Sequence, residues 1–209
     1  MRRSTTVKER TGDANRGIRN VLSSLSETVP GSHSIVVYPD VDVLREIYQS
    51  YVKEQLDDNH IVLLLPYYET IDSVKNSLMK VQLNVDQHLR DHSLQIIDGN
   101  ELFFNGKHEN GLLENKADNV VSLMRIMQTK VRKMQKDGAT VILDLGCFFP
   151  DEEIDTLIEY EKSIPHSFKD TTFKQFCMLH QRDFEARFTS RDKAKILDEH
   201  GRSIIMVDN

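Results

Sequence analysis

The chain of 209 residues contains no tryptophan, only two cysteines, five prolines and nine glycines, and aromatics make up 7% of it. Two cysteines cannot staple a disulfide scaffold, and they suit a reducing compartment. The longest apolar runs, such as Ile61–Pro66, fall far short of the ~20 residues that span a bilayer, so no membrane span is expected. Behind Arg2 and Arg3 there is no apolar stretch of the kind a secretory signal needs. The expected location is therefore cytoplasmic. Positive charge is also short: 27 Lys and Arg stand against 33 Asp and Glu, a net charge of −6. A general nucleic-acid coat needs a net basic face, which argues against that role.

With 39% apolar and 29% charged residues the chain has enough material for a core. Residues 1–30 stand apart. Arg2, Arg3, Lys8, Arg10, Arg16 and Arg19 dominate them, and apolar residues are sparse before Val21. They read as a flexible basic tail with a helical turn over Arg16–Leu25, and this tail is the only part suited to touching nucleic acid. Residues 31–209 read as a single domain. Ser34–Tyr38, His60–Leu65, Leu94–Ile97, Thr140–Leu145, Phe173–Leu179 and Ser203–Val207 are short β-branched or aliphatic runs, hence strands. His60–Leu65 is apolar on both faces, as a parallel strand between helix layers should be. Between the runs lie amphipathic stretches: Asp42–Gln55, a helix capped by Thr70 through Val81, Val85–His92, Ala117–Lys136 stopped by Gly138, a helix from Pro150–Asp151 through Ser163, and Ser190–Glu199. Asp98–Asn119, rich in Gly and Asn, reads as a loop or short hairpin. Alternating strands and helices predict an α/β fold, an open and mainly parallel sheet with helices on both faces.

In such sheets ligands bind beyond the carboxyl ends of the strands. After strand one stand Pro39, Asp40, Val41 and Asp42, where a nucleotide-binding protein would place a glycine-rich loop. No glycine and no Gly-Lys-Ser/Thr is present. Two carboxylates at a helix N-terminus repel phosphate and occupy the amides it would use. ATP or GTP hydrolysis by a phosphate loop is therefore argued against, and no cofactor is expected. The remaining edges carry Tyr38, Tyr67, Glu69, Asp144, Cys147, His180 and Arg182. Together with Asp40 and Asp42 these are the candidate ligand-binding residues, a mixed aromatic and polar set suited to a small organic molecule. Asp144 stands where a metal-binding acid of an ATPase would sit, and it reads equally as a satisfied buried acid.

Catalytic constellations are thin. Cys147 and Cys177 can each be imagined near His180, and a Cys–His pair can be nucleophilic. Cys177 sits in an apolar strand and reads as inert packing, whereas Cys147 follows a strand and is the better exposed. His88 and His92 have i, i+4 spacing but no third ligand, so no metal site is expected. The methionines of Ala117–Lys136 read as core, with a dimer seam as the other use.

His33-Ser34-Ile35-Val36-Val37-Tyr38, the acidic turn Pro39–Asp42 and the helix through Tyr51 resemble the opening of the MEDS domain, named for methanogens, methylotrophs and the DcmR sensory protein. Leu56-Asp57-Asp58-Asn59-His60 stands where that family has Gly-Glu. Asn84-Val85-Asp86, Leu157-Ile158-Glu159-Tyr160-Glu161 and Phe176-Cys177-Met178-Leu179-His180 with Phe184 follow in the family's order, with Leu179 and His180 in place of its Tyr and Asp. The resemblance spans about residues 32–207. It implies a three-layer fold similar to RecA and KaiC with the nucleotide motifs lost. It also implies a non-catalytic sensory domain that detects small hydrocarbon derivatives and signals through a partner. No output domain accompanies it, so a stand-alone sensor of a small organic ligand or regulatory partner is expected, with homo-oligomers an open possibility. Two other readings stay open: an interaction protein assembling through the Met-rich helix or the tail, and an enzyme using Asp144, Cys147 and His180.

Overall fold

The aliphatic runs become six parallel strands: β1 Ser32–Tyr38, β2 His60–Leu65, β3 Leu94–Ile96, β4 Gly138–Asp144, β5 Phe173–His180 and β6 Ile204–Met206. They form one sheet in the order β3-β2-β4-β5-β1-β6. The computed structural model describes residues 17–104, 116–149, 154–164, 172–200 and 204–207. Nine helical segments are named within them: α1 over residues 17–26, α2 Val41–Asp57, α3 Ile71–Lys80, α4 Val85–Arg90, α5 Gly99–Phe104, α6 Lys116–Lys133, α7 Ile154–Ser163, α8 Gln181–Arg187 and α9 Ser190–Glu199.

Alternation along the strands divides the core in two. One face carries Ile35, Leu63, Val141 and Cys177 under Met124 and Met127 of α6, Leu157 of α7 and Ile196 of α9. The other carries Val36, Tyr38, Ile142 and Phe176 under α1, α2, α3 and α4, through Leu25, Tyr51, Val74 and Val85. The expected parallel sheet covered on both faces is therefore present. Each large aliphatic or aromatic side chain taken fully from water supplies roughly 1.5–3 kcal/mol.

Local chemistry sets the helix starts. Asp40 caps α2 by accepting from the Val43 amide at 2.9 Å, and Thr70 caps α3 by accepting from Ser73 at 3.2 Å. Thr189 and Asp192 form a reciprocal capping box on α9.

Several expectations shift. The helical turn expected over Arg16–Leu25 is present as a helix over residues 17–26, but it is no loose tail: Ile18, Val21 and Leu25 bury against the α2 face, so the packed unit begins well before residue 31. The charges around them masked that narrow apolar stripe. The basic residues before position 17 lie outside the described residues. Part of the expected loop is helix α5, and 105–115 lie outside the described residues. Gly138 does not stop α6. That helix ends at Lys133, the chain turns at Gln135 with φ 54°, and Gly138 opens β4. A Cβ at Gly138 would lie 2.5 Å from the Thr172 carbonyl oxygen, so close strand approach explains the glycine. Met124 and Met127 are buried, so these two methionines of α6 serve the core. No helix among the described residues is long and apolar enough to cross a membrane.

Candidate functional site

The register of β1 on β5 sets Tyr38 directly opposite His180, and β4 on β5 sets Asp144 opposite Met178. The carboxyl ends of three neighbouring strands thus present Tyr38, Asp144 and His180 together. Tyr38 is fully buried and donates to Asp144 Oδ2 at 3.3 Å. Its ring meets His180 edge-on, with centroids 5.3 Å apart. Asp144 Oδ1 accepts from the Gly146 amide at 2.9 Å. Burial pushes the Asp144 carboxyl up to about 7, against the opposing pull of those hydrogen bonds. Asp144 is therefore a satisfied buried acid.

In front of this trio lies an open cleft of about 630 Å³, within the size of small-molecule sites. Tyr67, Tyr68 and Phe149 supply apolar wall, and His180, Arg182, Asp183 and Arg187 supply polar groups. Gly146 makes the arrangement possible. A Cβ there would run into the Tyr67 ring and come within 2.7 Å of Tyr68. Tyr68 donates to Asp183 Oδ2 at 2.5 Å, and Asp183 Oδ1 accepts from Arg187 Nε at 3.0 Å. Arg187 also lies 5.5 Å from the centre of the Phe149 ring. Burial and the Asp183 bond raise the Tyr68 hydroxyl above its ordinary value, so it stays a proton donor.

Of the residues singled out from sequence, Tyr67, His180 and Arg182 line the cleft, while Tyr38 and Asp144 back it. The others have different work. Asp40 is spent on its cap. Asp42 is exposed and pairs with Arg45. Glu69 accepts from Arg45 Nε and Nη2, Tyr48 Oη and Ser73 Oγ, all within 3.0 Å, which leaves its carboxylate saturated between α2 and α3. Cys147, expected to be exposed, is fully buried with its thiol donating to the Asp144 carbonyl at 3.4 Å. Cys177 and His180 alternate onto opposite faces of β5, so they do not pair.

Tyr68 follows β2 at the same edge but stood outside the candidate set, and Asp183 and Arg187 were missed. The last two ride on α8, which starts directly at the end of β5, where His180 caps it by accepting from the Arg182 amide at 3.1 Å. The segment Gln181–Arg187 has no strong apolar period, and the i, i+4 pair Asp183–Arg187 was its one available signal. His88 and His92 do not act as a pair. His88 Nδ1 meets Ser93 Oγ at 2.8 Å, and His92 lies beyond α4 with φ 63°. The described side chains able to hold a metal gather instead on the opposite face of the sheet, at His33, Glu161, Cys177 and His200.

A parallel α/β domain with an aromatic cleft at its carboxyl edge, and a capped acidic turn in place of a phosphate loop, is the class these features define. The chain belongs to the MEDS family: the model for the methanogen/methylotroph, DcmR sensory domain matches residues 32–191. It is thus a member of a family of sensory domains. No curated protein matches the sequence. Among solved structures, it is similar to an uncharacterized protein of Pyrococcus horikoshii crystallised with an unknown peptide. The two share 12% identity and a TM-score of 0.60, over 89% of this chain and 81% of that one. That likeness concerns the fold.

Proposed function

We propose that the chain is a non-catalytic sensory domain that binds a small organic molecule in the carboxyl-edge cleft and passes the event to a regulatory partner. The observation that carries this reading is the cleft itself, with two tyrosines held over Gly146 and His180 and Arg182 at its rim. A fitting ligand has an apolar body for the tyrosine faces and a hydrogen-bond acceptor for His180 and Arg182. The buried Cys147 thiol supports a role without nucleophilic chemistry. Two free, buried thiols suit a cytoplasmic setting. A RecA/KaiC-like ancestry with lost phosphate binding is part of the reading. It is supported by the acidic turn after β1 and by Asp144 ending β4, two strands away in the sheet.

Thermal unfolding against ATP, GTP and a panel of small organic metabolites tests it. Binding to the folded form alone stabilises by about 2.7 kcal/mol at 100 times Kd. The expected result is a shift with a mixed apolar–polar metabolite, none with nucleotides, and loss of the shift in Arg182→Ala. A shift with ATP overturns the reading. A second reading fills the same cleft with a segment of a protein partner, and the peptide held by the Pyrococcus protein favours it. Its mark is capture of one protein that Arg182→Ala no longer holds, with no response to metabolites.

A further inference from the structure

On the face of the sheet away from Tyr38, four side chains from four separate places converge: His33 on β1, Cys177 on β5, Glu161 on α7 and His200 just past α9. His33 Nε2 lies 3.1 Å from Cys177 Sγ and 3.2 Å from Glu161 Oε2. His200 Nε2 lies 3.4 Å from the same carboxylate oxygen, and all four donor atoms fall within 4.8 Å of one another. Metal–ligand bonds of about 2.0–2.3 Å in a tetrahedron place neighbouring donors roughly 3.4 Å apart, close to these separations. We propose that His33, Cys177, His200 and Glu161 form a closed four-coordinate site for a divalent cation of zinc type.

Three features support the site. Glu161 is fully buried, yet neither of its oxygens meets hydrogen-bond geometry with any described donor. An ionised carboxylate in that state is costly, and a cation among the donors satisfies it. The second shell orients the ligands: His200 Nδ1 lies 2.7 Å from the Ile196 carbonyl, which only accepts, so Nδ1 carries the proton and Nε2 faces the centre. The Gln175 amide donates to Cys177 Sγ at 3.6 Å, a contact a thiolate ligand keeps. One thiol, two imidazoles and one carboxylate suit zinc above the harder cations. A cysteine binds a metal as thiolate, so an arriving cation displaces the Cys177 proton to solvent, and binding strengthens as pH rises. Of the four side chains His33 is the most exposed, at 13%. The bound ion would tie α7 and the end of α9 to β1 and β5.

The test uses the full chain, stripped with a chelator and shown folded by circular dichroism. Zinc is then added, and cobalt(II) as a spectroscopic stand-in. The expected result is one tightly held ion per chain, a raised unfolding temperature, the intense visible bands of four-coordinate cobalt and a thiolate-to-cobalt charge-transfer band. Cys177→Ser should lose that band, and His88→Ala/His92→Ala should keep it. A folded wild-type chain that retains no stoichiometric zinc and gives no thiolate–cobalt band overturns the site, leaving a buried His–Glu–His ion cluster. Loss of metal in the His88/His92 variant overturns it equally.

Discussion

Asp144 is a carboxyl whose environment works against its charge. Its ordinary value is 3.8 and its folded value about 7, so in that window the folded state holds a proton that the unfolded state has released. Its contribution to stability is therefore full below 3.8 and is lost as pH rises toward 7, at about 1.4 kcal/mol per unit for a single group. Asp144→Asn keeps an acceptor for the Gly146 amide and removes the titration. Denaturant melts across that range should show the wild type losing ground to the variant, and an unchanged difference would refute the assignment. Thr140 tells a similar residue-level story. Its hydroxyl donates to Gln55 Oε1 at 2.9 Å where both residues are buried. Thr140→Val leaves that oxygen unsatisfied and should cost about 1–3 kcal/mol, read from the denaturation midpoint. The Thr140–Gln55 bond was not visible in the sequence, because the two residues are 85 positions apart.

Among the elements, helix caps and strands were the most legible. Thr70 as the cap of α3 and the start of α9 at Ser190 follow from residue chemistry a few positions wide, and both are found. Thr189→Ala removes the capping box and should lower stability by about 1 kcal/mol, measurable as a fall in unfolding temperature without change in the folded spectrum. Helix α8 was not legible, since seven residues with little apolar period form a helix because β5 delivers His180 as its cap. The cleft depends on that helix and on Gly146. Gly146→Ala should force Tyr67 and Tyr68 aside and abolish any ligand-induced shift, while the protein still unfolds cooperatively. A variant that keeps the full shift would show that the tyrosines do not form the wall.

At the scale of the whole molecule, the N-terminal helix α1 belongs to the folded unit. Leu25 is 1% exposed, and its carbonyl accepts from the buried Tyr51 hydroxyl at 3.3 Å. Leu25→Ala should therefore cost about 2–5 kcal/mol, as a core truncation does, with calorimetry as the check. A surface-like change below about 0.5 kcal/mol would place residues 17–26 outside the cooperative core.

The sequence by itself determined the parallel α/β class, because β-branched runs of strand length and helix-period stretches alternate along the chain. It also excluded a phosphate loop, because the turn after β1 holds two acids and no glycine. Both rest on neighbours in sequence, where periodicity and capping operate. Only the tertiary structure decided which side chains meet. The β1–β5 register set Tyr38 beside His180, strand alternation sent Cys177 to the other face, and packing of α7 and α9 brought Glu161 and His200 to His33. Those meetings join residues more than a hundred positions apart, and no local pattern records them.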